Sequence, residues 1–318
     1  MKHIFPLLLL LLTTARAADP AALATARALY GAKKYPEAEA ALKKLAAAEP
    51  ANAEIQFSLG ELARQRGDLD LATKNLERAT QLAPQNADYQ CTLGDVYAEA
   101  AQKAGILSKF GLAKKCLAAF QRAAELDPAS LRAHQSLFEY YRQAPGLAGG
   151  GTDKAEAEAA ILVKLNPIRG HTAFVTLYVA DKKYELARPH AAELKKLDPN
   201  LGRQVTASLL VAEQKFDAAF AEFDTALQAV PDDYATLYQL GKLSATSGKS
   251  LDRGLLALRR CLELTPGKND PTHAAAHWRL GNILEKKADK PGARAAYEAS
   301  LKAQPGFKRA AEALEAMT

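Results

Sequence analysis

Residues 53–84, AEIQFSLGELARQRGDLDLATKNLERATQLAP, decide the fold. Leu59, Gly60 and Ala63 fall on one helix face, Gly67-Asp68 interrupts the periodicity, and Ala72, Leu76 and Ala79 resume it before Pro84. That is the pattern of two amphipathic helices joined by a tight turn. Gly60 has no side chain, so the second helix can approach the first closely, with the small Ala72 expected opposite it. Leu59, Leu76 and Ala79 fill the seam to the neighbouring helices. Pro84 cannot continue a helix and closes the unit. One such hairpin leaves its flanks apolar, so it is stable only within a stack.

Working outward, the same unit recurs along the chain. Terminal prolines at 50, 84, 128, 167, 199, 231, 266 and 305 lie 34, 44, 39, 32, 32, 35 and 39 residues apart. They delimit repeats at roughly 19–52, 53–86, 87–130, 131–169, 170–201, 202–233, 234–268 and 274–305, followed by a capping helix over 307–317. The Leu-Gly pair of the second repeat returns as Leu93-Gly94, Leu240-Gly241 and Leu280-Gly281. Phe138, Leu177 and Leu209 replace the small residue in the fourth to sixth repeats, which predicts looser packing there. The extra residues within 102–112 of the third repeat, among them Ile106, Leu107, Phe110 and Leu112, predict an extended first helix folding back onto the stack. The fourth carries the loop Ala144-Pro145-Gly146-Leu147-Ala148-Gly149-Gly150-Gly151, with Asp153 and Glu156 spaced as a capping box. The fifth and sixth are two residues short, which we place at the turn between their helices. No Pro/Ser/Gly-rich linker interrupts the array, so one solenoid is expected over 18–318.

The repeat resembles the tetratricopeptide repeat, whose W-x2-L-G-x2-Y…A-x3-F…P pattern is a helix–turn–helix. The resemblance covers about 21–305 and implies an all-α, right-handed superhelical solenoid of about eight helix pairs.

The chain has 318 residues, 48% hydrophobic and 25% charged, ample for a long stack of small cores. Residues 1–17, MKHIFPLLLLLLTTARA, have a basic start, an apolar run too short to span a bilayer and a small-x-small ending in Ala15-Arg16-Ala17. This reads as an export signal cleaved after Ala17, giving a periplasmic or secreted protein without an integral membrane segment. Removing Lys2 and Arg16 takes the 42 basic residues to 40; against 36 acids the net charge falls from +6 to +4. Lys-Lys pairs such as Lys43-Lys44, Lys114-Lys115 and Lys195-Lys196 read as solvated helix faces and not as a nucleic-acid stripe.

The residue sets that carry chemistry are poorly represented. Cys91 and Cys116 lie on the two helices of one repeat, but Cys116 stands in the small slot facing Gly94 and Cys261 in the slot of Ala79, so buried free thiols are expected. His273 and His277 have the spacing of zinc ligands, yet His-Ala-Ala-Ala-His lacks the metalloprotease glutamate and a third ligand. The loop Gly149-Gly150-Gly151-Thr152 lacks the Gly-Lys-Ser/Thr ending of a phosphate loop. No nucleophile elbow or paired-carboxylate signature is present, and neither enzyme activity, cofactor nor metal is expected.

What the resemblance implies about function is a groove lined by the first helix of each pair, cradling a peptide or another protein. One groove-facing slot lies two residues before the Leu-Gly pair. It holds Phe57, Cys91, Tyr238 and Trp278, with Phe174 in the fifth repeat and Tyr178 one turn on. Glu61, Arg142 and Lys242 are expected at its rim. Phe57 and Glu61 stand where chaperone-binding members carry a Lys-Asn pair for a terminal carboxylate, so a cytosolic chaperone is not the expected partner. A non-enzymatic scaffold or adaptor of the cell envelope is expected, with a structural or regulatory assembly subunit of an envelope enzyme complex as the alternative. The localisation is directly measurable: mass spectrometry of protein from its native host should give a chain starting at Ala18, and a retained Met1 would refute export by cleavage.

Overall fold

The computed structural model describes residues 20–317, apart from the side chains of Pro20, Ile106 and Leu107; the expected export signal at 1–17 lies outside them. Among the described residues every regular element is helical. The chain forms two compact units divided between Leu165 and Asn166.

The first unit contains α1 (Pro20–Gly31), α2 (Tyr35–Ala48), α3 (Ala53–Gln65), α4 (Leu69–Leu82), α5 (Ala87–Lys103), α6 (Ile106–Leu126), α7 (Leu131–Gln143), a short 3-10 turn (Gly146–Ala148) and α8 (Thr152–Leu165). The second contains α9 (Pro167–Ala180), α10 (Tyr184–Leu197), α11 (Pro199–Ala212), α12 (Phe216–Ala229), α13 (Tyr234–Ser247), α14 (Leu251–Glu263), α15 (His273–Lys286), α16 (Lys290–Ala303) and α17 (Lys308–Glu315). These are eight helix pairs and a final helix, an all-α helical repeat of the expected kind.

Side-chain caps start most of these helices. Asn52, Asp68, Asn86, Ser130, Asn166, Asp198, Asp233, Thr272 and Asp289 each accept a hydrogen bond from backbone N–H groups of the first turn, satisfying donors that have no partner inside a helix. The turn between paired helices is three residues long in six repeats. In five of them the middle residue has a positive φ: Lys33 (59°), Gly67 (79°), Lys182 (58°), Gln214 (61°) and Ala288 (62°). In the seventh repeat the positive φ falls on Gly248 (74°) and Ser250 (49°), on either side of the middle residue. Of the five middle residues only Gly67 is the glycine that the left-handed region favours.

Within the pairs, one position of the first helix and its counterpart on the second divide one volume. A Cβ built on Gly60 would lie 2.6 Å from Leu76 Cγ, so Leu76 fills the space above the glycine, while Ala72 contributes its carbonyl at 3.4 Å. The residue facing Gly60 is therefore Leu76 before Ala72. Gly94 receives the Phe120 ring in the same way, Gly241 receives Leu258 and Gly281 receives Tyr297. In the fourth and fifth repeats the exchange runs backwards: Phe138 and Leu177 are only 2% exposed, and the corresponding second-helix positions hold the buried Ala159 and Ala191. The expected loosening does not occur there. Leu209 is equally buried, at 3%, although its counterpart is the large Phe223.

Three local expectations are corrected. The fifth and sixth repeats keep three-residue turns; the shortening lies between repeats, where α8 ends at Leu165 and α9 begins at Pro167, and where Asp198 alone separates α10 from α11. Both sites carry the pattern Asx-Pro-x-x-Gly, Asn166 to Gly170 and Asp198 to Gly202, with the glycines buried. A Cβ on Gly202 would overlap the α10 backbone, 2.7 Å from the carbonyl carbon of Leu194, so this corner requires glycine. The extra residues of the third repeat do not form one long first helix: the chain breaks at Ala104-Gly105, and most of the excess lengthens α6 to 21 residues. Finally, α8 begins at Thr152, so Asp153 sits inside its first turn and not at the cap.

Glycine exchanges should have opposite signs at these two kinds of site. Gly60→Ala overlaps Leu76, and overpacking of about 1–3 kcal/mol outweighs the gain of up to ~1 kcal/mol in helix propensity. Ala288→Gly relieves a left-handed alanine and should stabilise by roughly 0.5–1 kcal/mol after the entropy of the unfolded glycine is set against it. Denaturant titration of both variants checks this; a neutral Gly60→Ala would disprove the packing argument.

Candidate functional site

In the first unit the faces of α1, α3, α5 and α7 are stitched together by charge. Arg27 pairs with Glu54. Arg64 reaches Glu99 at 2.6 Å and Asp95 at 3.6 Å. Arg132 binds Asp95 at 2.8 Å and donates to Thr92 at 3.0 Å. Each arginine thus ties one first helix to another. Half-exposed pairs of this kind contribute about 0.2–1 kcal/mol each.

Phe57 stacks on Tyr89 of α5 with ring centroids 4.4 Å apart. One turn along, Glu61 borders a hollow that it lines with Ala26, Arg27, Tyr30, Leu42, Phe57 and Ser58. Tyr30 titrates above the ordinary phenol range because it is partly buried and faces the Glu61 carboxylate. The structure therefore brings Phe57 and Glu61 together as expected. Arg142 is held elsewhere, donating to Glu139 on its own helix at 2.6 Å. Cys91 occupies the expected slot but is fully buried, and burial pushes its thiol up to about 11.

In the second unit, Phe174 and Tyr178 of α9 stand with ring centroids 5.8 Å apart, and His190 of α10 stacks on Phe174 at 4.1 Å. The Nδ1 atoms of His171 and His190 are 2.9 Å apart. Burial, and then the neighbouring imidazole, hold His190 below the ordinary histidine range. Tyr178 is 8% exposed and Tyr238 7%, so both are core residues more than surface ones. Lys242, one turn after Tyr238, is exposed. Trp278 is half-buried, with the guanidinium of Arg279 4.1 Å and that of Arg309 5.0 Å from its ring, and with Phe307 beside it. His273 Nε2 donates to the Leu264 carbonyl, 2.8 Å away, so its contact is with the preceding connection.

Sequence reasoning missed Tyr30, Tyr89 and the arginines 27, 64 and 132. The tyrosines left a usable signal, since each lies on the first helix of a repeat, where Phe57 was sought. The arginines left none, because their partners are two helices away in the chain.

The tetratricopeptide repeat family model matches residues 23–87 and 251–306. These two stretches of the chain match the tetratricopeptide repeat. A tetratricopeptide repeat protein of Parabacteroides merdae superposes with a TM-score of 0.54 at 17% identity, covering 83% of this chain and 98% of that one. A thermophilic member from Thermus thermophilus gives 0.45 at 18% identity, covering 64% of this chain and 100% of its own. Among curated proteins none matches this chain.

Tetratricopeptide repeats bind proteins or peptides, and the family is typically non-catalytic. Cys91, Cys116 and Cys261 are all buried and unpaired, and burial pushes the latter two thiols up to about 12. Thiolate, the reacting species, is therefore scarce at neutral pH in the folded chain. Alkylation should be slow on native protein and should count three thiols after non-reducing denaturation; a count of one would establish a disulfide.

Proposed function

We propose that this protein is a non-enzymatic scaffold or adaptor, exported to the cell envelope or secreted, that binds a peptide or protein surface along its first-helix faces. The observation that carries this is the hollow between α1 and α3. Its aromatic walls are Tyr30 and Phe57, and Glu61 at its edge makes no hydrogen bond or ion pair with any described residue. A half-exposed carboxylate beside two aromatic rings suits a cationic group of the partner, which would gain both a charge pair and a ring contact. Exposed Lys242 and half-buried Trp278 extend the same type of surface in the second unit. Export is supported by the sequence of residues 1–17.

A second reading has a specific observation behind it. The arginine pairs across α1, α3, α5 and α7 already satisfy most charges of that face, as expected where a stack serves chiefly as a structural or regulatory subunit of a larger assembly.

Crosslinking capture from the exported fraction, followed by binding measurements with the captured protein, separates the two. Truncating a true anchor typically costs ~2 kcal/mol, about thirtyfold in affinity. Phe57→Ala, Glu61→Gln and Trp278→Ala should each weaken binding while leaving helicity intact. Tyr238→Ala serves as the control for folding: this buried residue should lower stability first. If the three surface variants bind as wild type does, the first-helix faces are not the site.

A further inference from the structure

All the chain in the first unit that exceeds the regular repeat collects at one place. The closed end of the α5–α6 hairpin is lengthened, and the next repeat carries the 3-10 loop at the equivalent end. The two insertions touch: the Tyr140 hydroxyl donates to the carbonyl of Ala113 on α6 at 3.0 Å and to that of Ala148 in the loop at 2.7 Å. Phe110, Ala113 and Leu117 share one stripe of α6. Leu117 lies against Gly149 of the loop and Ala113 is tied to it through Tyr140, so Phe110 stands farther out on the same side. It is 42% exposed, and Leu147 at the loop tip is 85% exposed.

Cations predominate around Phe110. From Ala100 to Ala124 the sequence has Lys103, Lys109, Lys114, Lys115 and Arg122 and no acid. Lys115 is paired with Glu77 and Arg122 with Glu125. Lys103, Lys109 and Lys114 are exposed and form no ion pair with any described residue. Lys154 adds a fourth cation, donating to the carbonyl of Gly149 in the loop. The other turns of this unit set acids beside their cations: Glu37 near Lys33 and Lys34, Asp68 near Arg66, Asp153 near Lys154. At the third turn the acid at the equivalent spacing, Glu99, is taken up by Arg64.

We propose that this edge is a docking surface for an anionic lipid bilayer. Phe110 and Leu147 are exposed, on the lengthened α6 and at a loop tip, with unpaired lysines near Phe110. These lysines can reach the headgroups while the two apolar side chains enter the acyl boundary. Among the described residues no helix is long and apolar enough to cross a membrane, so the contact is peripheral. Each lysine near an anionic leaflet is worth roughly fivefold in partitioning.

The test is co-sedimentation of the whole chain with vesicles of pure phosphatidylcholine and with vesicles containing phosphatidylglycerol. The read-out is the ratio between the two, compared across proteins with the same N-terminus so that residues 1–17 contribute equally. Wild type should prefer the anionic vesicles, and the preference should fall as salt rises. K103Q/K109Q/K114Q should lower it about a hundredfold, and Leu147→Asp should lower it with melting unchanged. No preference in wild type, or an undiminished preference in the triple variant, overturns the proposal. So does binding to a polyglutamate peptide without binding to anionic vesicles, which would transfer the surface to an acidic protein partner.

Discussion

The fold depends on how closely two paired helices can cross. At that crossing one position is empty of side chain and its counterpart supplies the filling: Gly60 with Leu76, Gly94 with Phe120, Gly241 with Leu258, Gly281 with Tyr297. What recurs is a small residue on one helix with a large one on the other, and not the identity of either residue. Phe138 with Ala159 and Leu177 with Ala191, all buried, hold the same two kinds of residue in exchanged places. Because interiors are close-packed, a repeat tolerates this exchange and resists a change on one side only. Leu209 with Phe223 departs from this pattern, both residues being large and buried.

The helix pairs were legible in the sequence because their signals are local and repeated. A turn after Gly67, caps such as Asn52 and Asp68, and a proline closing each unit recur often enough to fix the count. The misplaced details were those in which one residue does two jobs. Asn166 and Asp198 each end one helix and cap the next, so Asn166-Pro167 and Asp198-Pro199 read as terminators although the prolines are the first residues of new helices. Turn residues Lys33, Lys182, Gln214 and Ala288 gave no sign of their positive φ. Their conformation is imposed by the two helices the turn must join, and the strain is carried by the packing.

The candidate site was legible in part, for a similar reason. The spacing rule found Phe57, Phe174, Tyr178, Tyr238 and Trp278 because all lie on first helices. It could not tell an exposed aromatic from one covered by the neighbouring helix. Tyr238 is drawn into the core with Leu237 and Leu240, whereas Phe57 meets only Tyr89 on one side and a hollow on the other. Whether such a ring is available for recognition is decided between repeats, by contacts that periodicity within a repeat does not encode.

The two surfaces of the first unit differ in how their charges are spent. On the first-helix face, Arg27, Arg64 and Arg132 already have carboxylate partners. A ligand there would have to displace a formed pair to gain one, and the net electrostatic return is small. Recognition on that face must therefore rest on shape, on the aromatic rings and on the one unpaired carboxylate, Glu61. At the lengthened hairpin the balance is reversed: Lys103, Lys109 and Lys114 have nothing to exchange and lose little on meeting an anionic surface. A repeat stack that pairs its arginines where first helices face one another, and leaves the lysines of an inserted segment unpaired, keeps its stability and its long-range attraction in separate places. Changes to the insertion can then alter what the protein is drawn to without disturbing the helix crossings that hold the unit together.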